Sequence, residues 1–213
     1  MLSAVIFAGL LLRLAAVGHA YEPVIAYDDF EHGAANWKPT DPKAWRIGRG
    51  LEGAGYSLFQ QSKYEPPHRS PINYALLQGK PVHRFDLELS VRSTIKDYGH
   101  RDVVVIFGYQ DPAHFYYAHL AKQADRNANQ IFIVNGKDRA KISTKTSSGT
   151  PWDDKWHKIK ITRMPDGAIA VYFDDLKTPA MEAHDSTFKS GLVGIGSFDD
   201  TADFDKVKFA VPQ

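Results

Sequence analysis

The sequence predicts an all-β protein, a two-sheet antiparallel β-sandwich, and three observations carry that expectation. Apolar residues alternate with polar ones at period two along most of the chain. The runs are short and separated by turn chemistry. After residue 20, no stretch keeps a 3.6-residue apolar period for three turns.

The elements follow in chain order. Residues 32–71 are rich in Gly, Pro and aromatics and predict long loops with short strands. In Phe85-Asp86-Leu87-Glu88-Leu89-Ser90-Val91-Arg92 the apolar residues take every odd position. Val103 to Tyr109 is apolar on both faces, as a strand at the centre of a sandwich is. On a strand over 114–120, Phe115, Tyr117 and His119 share one face, while His114, Tyr116, Ala118 and Leu120 share the other. Ala121 to Ala128 has room for one helical turn at most. Asn135-Gly136 between Ile131–Val134 and Arg139–Ile142 is a hairpin signal. Met164-Pro165-Asp166-Gly167 joins a second pair of runs, Ile159 and Ile161 on one side, Ile169, Val171 and Phe173 on the other. Val207, Phe209 and Val211 close the chain.

Residues 1–20 read as an export signal, an apolar run from Leu2 to Val17 broken by Arg13 and ending in Gly18-His19-Ala20. Small residues at the last and third-last positions suit cleavage after Ala20. A span would need about 20 apolar residues. Residues 21–213 are then one domain, expected in a periplasm or outside the cell. The 213 residues carry 26 Lys and Arg against 25 Asp and Glu, so without Arg13 the remainder is neutral. Such a chain has no electrostatic footprint for nucleic acid or an anionic membrane. It holds no cysteine, which excludes disulfides, thiolate nucleophiles and Cys-based metal centres.

Tyr27-Asp28-Asp29-Phe30-Glu31 ahead of Trp37, Trp156 to Asp174 around Asp166-Gly167, and Gly191 to Phe198 followed by Phe204 to Phe209 resemble the concanavalin A-like (laminin G-like) jelly rolls. Within them the likeness is nearest to bacterial 3-keto-disaccharide hydrolase-like exported domains. The resemblance implies a poly- or oligosaccharide partner and a groove on the concave sheet. The leading expectation is cleavage of that saccharide, as by a glycoside hydrolase or a polysaccharide lyase, with a non-catalytic glycan-binding module as the alternative. The resemblance also implies the positions, Asp29 and Asp205, where a structural calcium ties the first and last strands. No other cofactor is expected.

The candidate chemistry centres on residues 97–119. Tyr117 and His119, two residues apart on one face, lie about 6–7 Å apart and can flank one sugar ring. Such a pair can carry β-elimination on a uronic acid, one side chain taking the C5 proton and the other protonating the leaving oxygen. Arg101, Arg92 or Asn129 would neutralise the carboxylate. His100 and Arg101 at a strand entry are candidates for substrate contact, and Trp152, after Pro151 in a loop, for stacking on a sugar. Trp156, opening a strand, is expected in the core. Asp86 and Glu88 share a face, where a carboxylate pair for hydrolysis competes with a solvated strand face. His100, His114 and His119 with Asp97 or Asp102 match no metal-binding spacing.

Overall fold

The computed structural model describes residues 24–211, so the expected export signal lies outside the described residues. The described chain is an antiparallel β-sandwich of sixteen strands with one turn of 3-10 helix, Pro42–Ala44. No helix among the described residues is long and apolar enough to cross a membrane.

The nine-stranded sheet runs β11 (Ser143–Thr146), β14 (Met181–His184), β13 (Ala168–Phe173), β12 (His157–Arg163), β6 (Phe85–Ser93), β16 (Ala202–Ala210), β4 (Ala54–Leu58) and β3 (Trp45–Arg49). β1 (Val24–Asp28) is its ninth strand and pairs with the second half of β16, from Asp28↔Val207 to Val24↔Ala210. The seven-stranded sheet runs β10 (Ala140–Lys141), β9 (Gln130–Asn135), β8 (His114–Ala121), β7 (Asp102–Asp111), β15 (Leu192–Ser197), β5 (Asn73–Leu77) and β2 (Trp37–Pro39).

Period-two alternation becomes a layered core. Phe85, Leu87, Leu89 and Val91 of β6 face Val103, Val105 and Phe107 of β7, with Tyr116, Ala118 and Leu120 of β8 beside them. Both predicted hairpins form. β9 pairs with β10 across Asn135-Gly136, with Ile133 opposite Ala140. β12 pairs with β13 through a turn closed by the Gly167 N–H on the Met164 carbonyl at 3.0 Å. Gly167 sits at φ +96°, which a side chain would strain. Residues 122–129 form no helix.

The outer face of the seven-stranded sheet carries a second buried cluster that includes Tyr74, Val104, Ile106, Phe115, Tyr117 and Phe132. One face of an antiparallel sheet is usually solvated. Here residues 59–72 leave β4 as a strap, cross the sheet and return to β5. The Ser62 N–H bonds the Asn73 side-chain oxygen, and Tyr64 packs edge-on against Tyr74. At the tip, the Arg69 N–H bonds Asp138 Oδ1 and its carbonyl accepts the Arg139 N–H. The return is pinned by the Ile72 N–H on the Phe198 carbonyl at 2.9 Å. The strap explains why Val103–Tyr109 is apolar on both faces.

Candidate functional site

Beside the strap tip a pocket of about 190 Å³ opens over one end of the outer face. Asp102 begins β7, His119 lies on the last turn of pleat in β8, and Phe198 and Asp199 follow β15. Arg69 comes from the strap, Arg139 from the β9–β10 hairpin, and Tyr98 and His100 from the loop before β7. Pairing of β7 with both β8 and β15, Val104 opposite His119 and Gly196, brings these distant segments together.

Asp102 is buried and internally satisfied. Its Oδ1 accepts from Ser197 Oγ and the Phe198 N–H, both at 2.8 Å. Its Oδ2 lies 3.3 Å from His119 Nε2, outside good hydrogen-bond alignment, so that buried nitrogen has no bonded partner among the described residues. His119 Nδ1 lies 3.1 Å from the Asn127 carbonyl, and its ring stacks on Phe198 with centroids 5.6 Å apart. An Nδ1–H donated to that carbonyl would leave Nε2 a buried acceptor beside Asp102.

Asp200 lies behind the wall, accepting the Tyr98 hydroxyl at 2.9 Å and the Asp102 N–H at 3.0 Å. Burial first, then the Asp102 charge, push its carboxyl up to about 7. Asp199, exposed at the rim, is shifted upward by partial desolvation and by Asp102, against the opposing pull of His119 and Arg139. The Arg139 guanidinium lies over Phe198 at 4.3 Å and over Phe132 at 4.8 Å, a cation–π seat that fixes its plane. Its Nη1 donates to the Tyr117 hydroxyl at 2.9 Å.

The sequence-predicted site residues do not all meet here. Tyr117 and His119 share the outer face as expected, with ring centroids 6.2 Å apart. Tyr117, however, is fully buried under the strap, its hydroxyl taken by Arg139. Burial pushes its phenol up, with Arg139 opposing. His100 lines the pocket but pairs with Asp125 at 3.1 Å. Arg101 points the other way: it is 1% exposed and bonds Ser93 Oγ, the Ser93 and Asp153 carbonyls and Asp154. It ties the loop before β7 to β6 and to the loop before β12.

Arg92 lies on the other sheet's outward face, paired with Asp203 at 2.7 Å. Asn129, at φ +53° and buried, spends its amide on Thr146 and Ser147. The expected exposure of Trp152 is overturned. It is 2% exposed, donates to the Leu120 carbonyl and packs edge-on against Phe173. Trp156, expected in the core, is half-buried on the outward face beneath Arg92. Asp86 and Glu88 both reach Lys160, at 3.3 and 3.5 Å, on a solvated strand face.

Asp29 caps its own turn through the Glu31 N–H. Asp205 is fully buried and accepts N–H bonds from Leu51, Glu52 and Lys206. Those donors occupy the oxygens that a calcium ion would need, and no group of three His, Asp or Glu among the described residues could hold a metal. The donor set as arranged does not fit the calcium tie.

Sequence reading gave no role to Asp199, Arg139, Arg69 or Tyr98 and named Asp102 only beside the histidines.

Across the strap a second concavity of about 300 Å³ is lined by Tyr64, Tyr74, Tyr109, Pro112 and Leu192, with Lys38 at its rim.

No family model matches this chain, and no curated protein is significantly similar to it. Solved structures share its fold. The carbohydrate binding module CBM66 from Bacillus subtilis superposes with a TM-score of 0.58 at 19% identity, over 82% of this chain and 95% of that one. GH43B of the Bacteroides ovatus xyloglucan PUL gives 0.58 at 14% identity. That match spans 90% of this chain and only 40% of the other. Domain 4 of AbnA, a GH43 extracellular arabinanase from Geobacillus stearothermophilus solved with arabinotriose, gives 0.51 at 10% identity, over 83% and 82%. At these identities the likeness is one of β-sandwich fold.

Proposed function

We propose that this chain binds a poly- or oligosaccharide by seating one sugar residue in the pocket between the strap tip and the β9–β10 hairpin, and that it does so without cleaving it. The observation that carries the reading is the pocket's composition. A concavity of about 190 Å³ gathers guanidinium donors from Arg69 and Arg139, an acceptor at Asp199, and the His119 and Phe198 rings. Sugars are held by such fixed polar groups set on apolar walls. Fold likeness to a carbohydrate binding module and to a domain solved with arabinotriose supports the same reading. The concanavalin A-like affiliation and the export to periplasm or exterior belong to this proposal.

Binding is favoured over cleavage because glycoside hydrolysis needs two free carboxyl groups. Asp102 is buried with one oxygen taken by Ser197 and Phe198, and Asp200 is spent on Tyr98, which leaves Asp199 as the acid exposed at the pocket. The elimination chemistry of Tyr117 fares no better, since the phenol is covered. One observation favours a second reading: His119 Nε2, unbonded beside Asp102, has the placement of an oriented base.

Calorimetric titration of the chain with a panel of oligosaccharides tests both, with reducing ends and unsaturated-uronate absorbance followed in parallel. Saturable heat without products, weakened about tenfold or more in Asp199→Asn, is expected for loss of a charge-assisted bond. Products that vanish in His119→Ala would replace this reading with the catalytic one.

A further inference from the structure

The pocket holds two guanidiniums and two carboxylates, and no ion pair joins either arginine to either acid. Asp102 is closed in by Ser197, Phe198 and His119, and His100 is matched by Asp125. Asp200 is turned toward Tyr98 and the Asp102 N–H, and burial holds it largely protonated below neutral pH. Asp199 is the one acid open at the rim. The same pocket carries two guanidiniums, and neither lies within ion-pair distance of a carboxylate among the described residues. Arg139 spends one nitrogen on Tyr117, and the Arg69 side chain has no hydrogen-bond partner among the described residues. Two unpaired arginines lining one pocket, one of them held flat by Phe132 and Phe198, form a ready-made cradle for a planar anion.

We infer that the sugar seated here carries a carboxylate, held jointly by Arg69 and Arg139, while Asp199 faces its hydroxyls. This rests on the pocket being a saccharide site. Asp199 repels the carboxylate from its own side and so fixes which way round the ring sits. The pair that neutralises the acid is therefore not the Arg92, Arg101 and Asn129 set expected from sequence. It comes from two loops joined by the bonds between Arg69, Asp138 and Arg139.

The test is calorimetric titration of the full chain with short uronic-acid oligosaccharides, their methyl esters and sulfated neutral counterparts. The acid should bind about tenfold or more tightly than its ester, and that preference should shrink as salt is raised. In Arg139→Gln the ratio of acid to ester affinity should collapse toward one. Arg139 also packs on two rings, so Arg69→Gln, a change at an exposed side chain, carries the same expectation without touching the core. Equal binding of acid and ester would overturn the inference and leave the saccharide site standing. A sulfated sugar preferred over the carboxylated one would overturn the choice of anion. No binding by any saccharide, charged or neutral, would fell the proposed function itself.

Discussion

Arg139 Nη1 donates to the Tyr117 hydroxyl at 2.9 Å, and that bond anchors a pocket-lining guanidinium to the sheet. It joins a hairpin residue to the middle of β8 beneath the strap, turning a candidate catalytic phenol into a support for a binding guanidinium. Tyr117 is a positioning residue in this account. Tyr117→Phe should lower stability by about 1 kcal/mol, because half-buried Arg139 can return to water. Saccharide affinity should fall by less than about tenfold. Urea unfolding and calorimetry on the same variant check both. Complete loss of ligand interaction in a folded Tyr117→Phe would return the phenol to the reacting centre.

Stability should depend on pH through Asp200. Its folded-state carboxyl is raised to about 7, above an ordinary value of 3.8, so the folded protein holds a proton that the unfolded chain has released. Stability is then greatest below about pH 4 for this group and is lost as pH rises toward about 7. The upper bound of that loss is about 4 kcal/mol. Asp102, Asp199 and Tyr98 are the groups that face it. In Asp200→Asn the urea midpoint should change less between pH 5 and pH 8 than in the parent, a comparison in which equal slopes would count against this assignment.

Trp152 fills the core end of the sandwich against Phe173 and His157. Trp152→Ala should cost about 3–5 kcal/mol, the range for removing a large buried ring. It should also orphan the Leu120 carbonyl. Thermal unfolding reads the first effect. A loss under about 1 kcal/mol would mean that the indole is not packed as described.

Arg101 is a buried tie, so Arg101→Met should destabilise by about 2 kcal/mol or more through unsatisfied carbonyls at Ser93 and Asp153. At temperatures where the variant is folded, saccharide affinity should stay near that of the parent. A folded Arg101→Met that binds no sugar would place this guanidinium in recognition.

The fold was readable because period-two patterning and Asn-Gly or Asp-Gly turns are local. Val103–Tyr109 even announced its two buried faces. The two tryptophans were misjudged against the same rule. If Ile159 and Ile161 point inward, His157 does too, and Trp156 must point out with Lys158 and Lys160. Trp152 precedes the strand, and its burial follows from a loop path that periodicity does not describe. The pocket was legible only at His119 and His100. Asp102 and Asp199 meet through pairing of β7 with β15, about a hundred residues apart, and Arg69 meets Arg139 through contact between two loops. Nothing in local spacing encodes either meeting.

The central claim is the location of the saccharide site, and two-dimensional NMR of the isotope-labelled chain during titration with an acidic oligosaccharide tests it most directly. A sugar seated in the pocket should give saturable shifts of the Phe198, Asp199 and Arg139 amides, with those of Tyr64, Tyr74 and Tyr109 across the strap unmoved. Shifts confined to the tyrosine groove, or none at the pocket under saturating sugar, would contradict it.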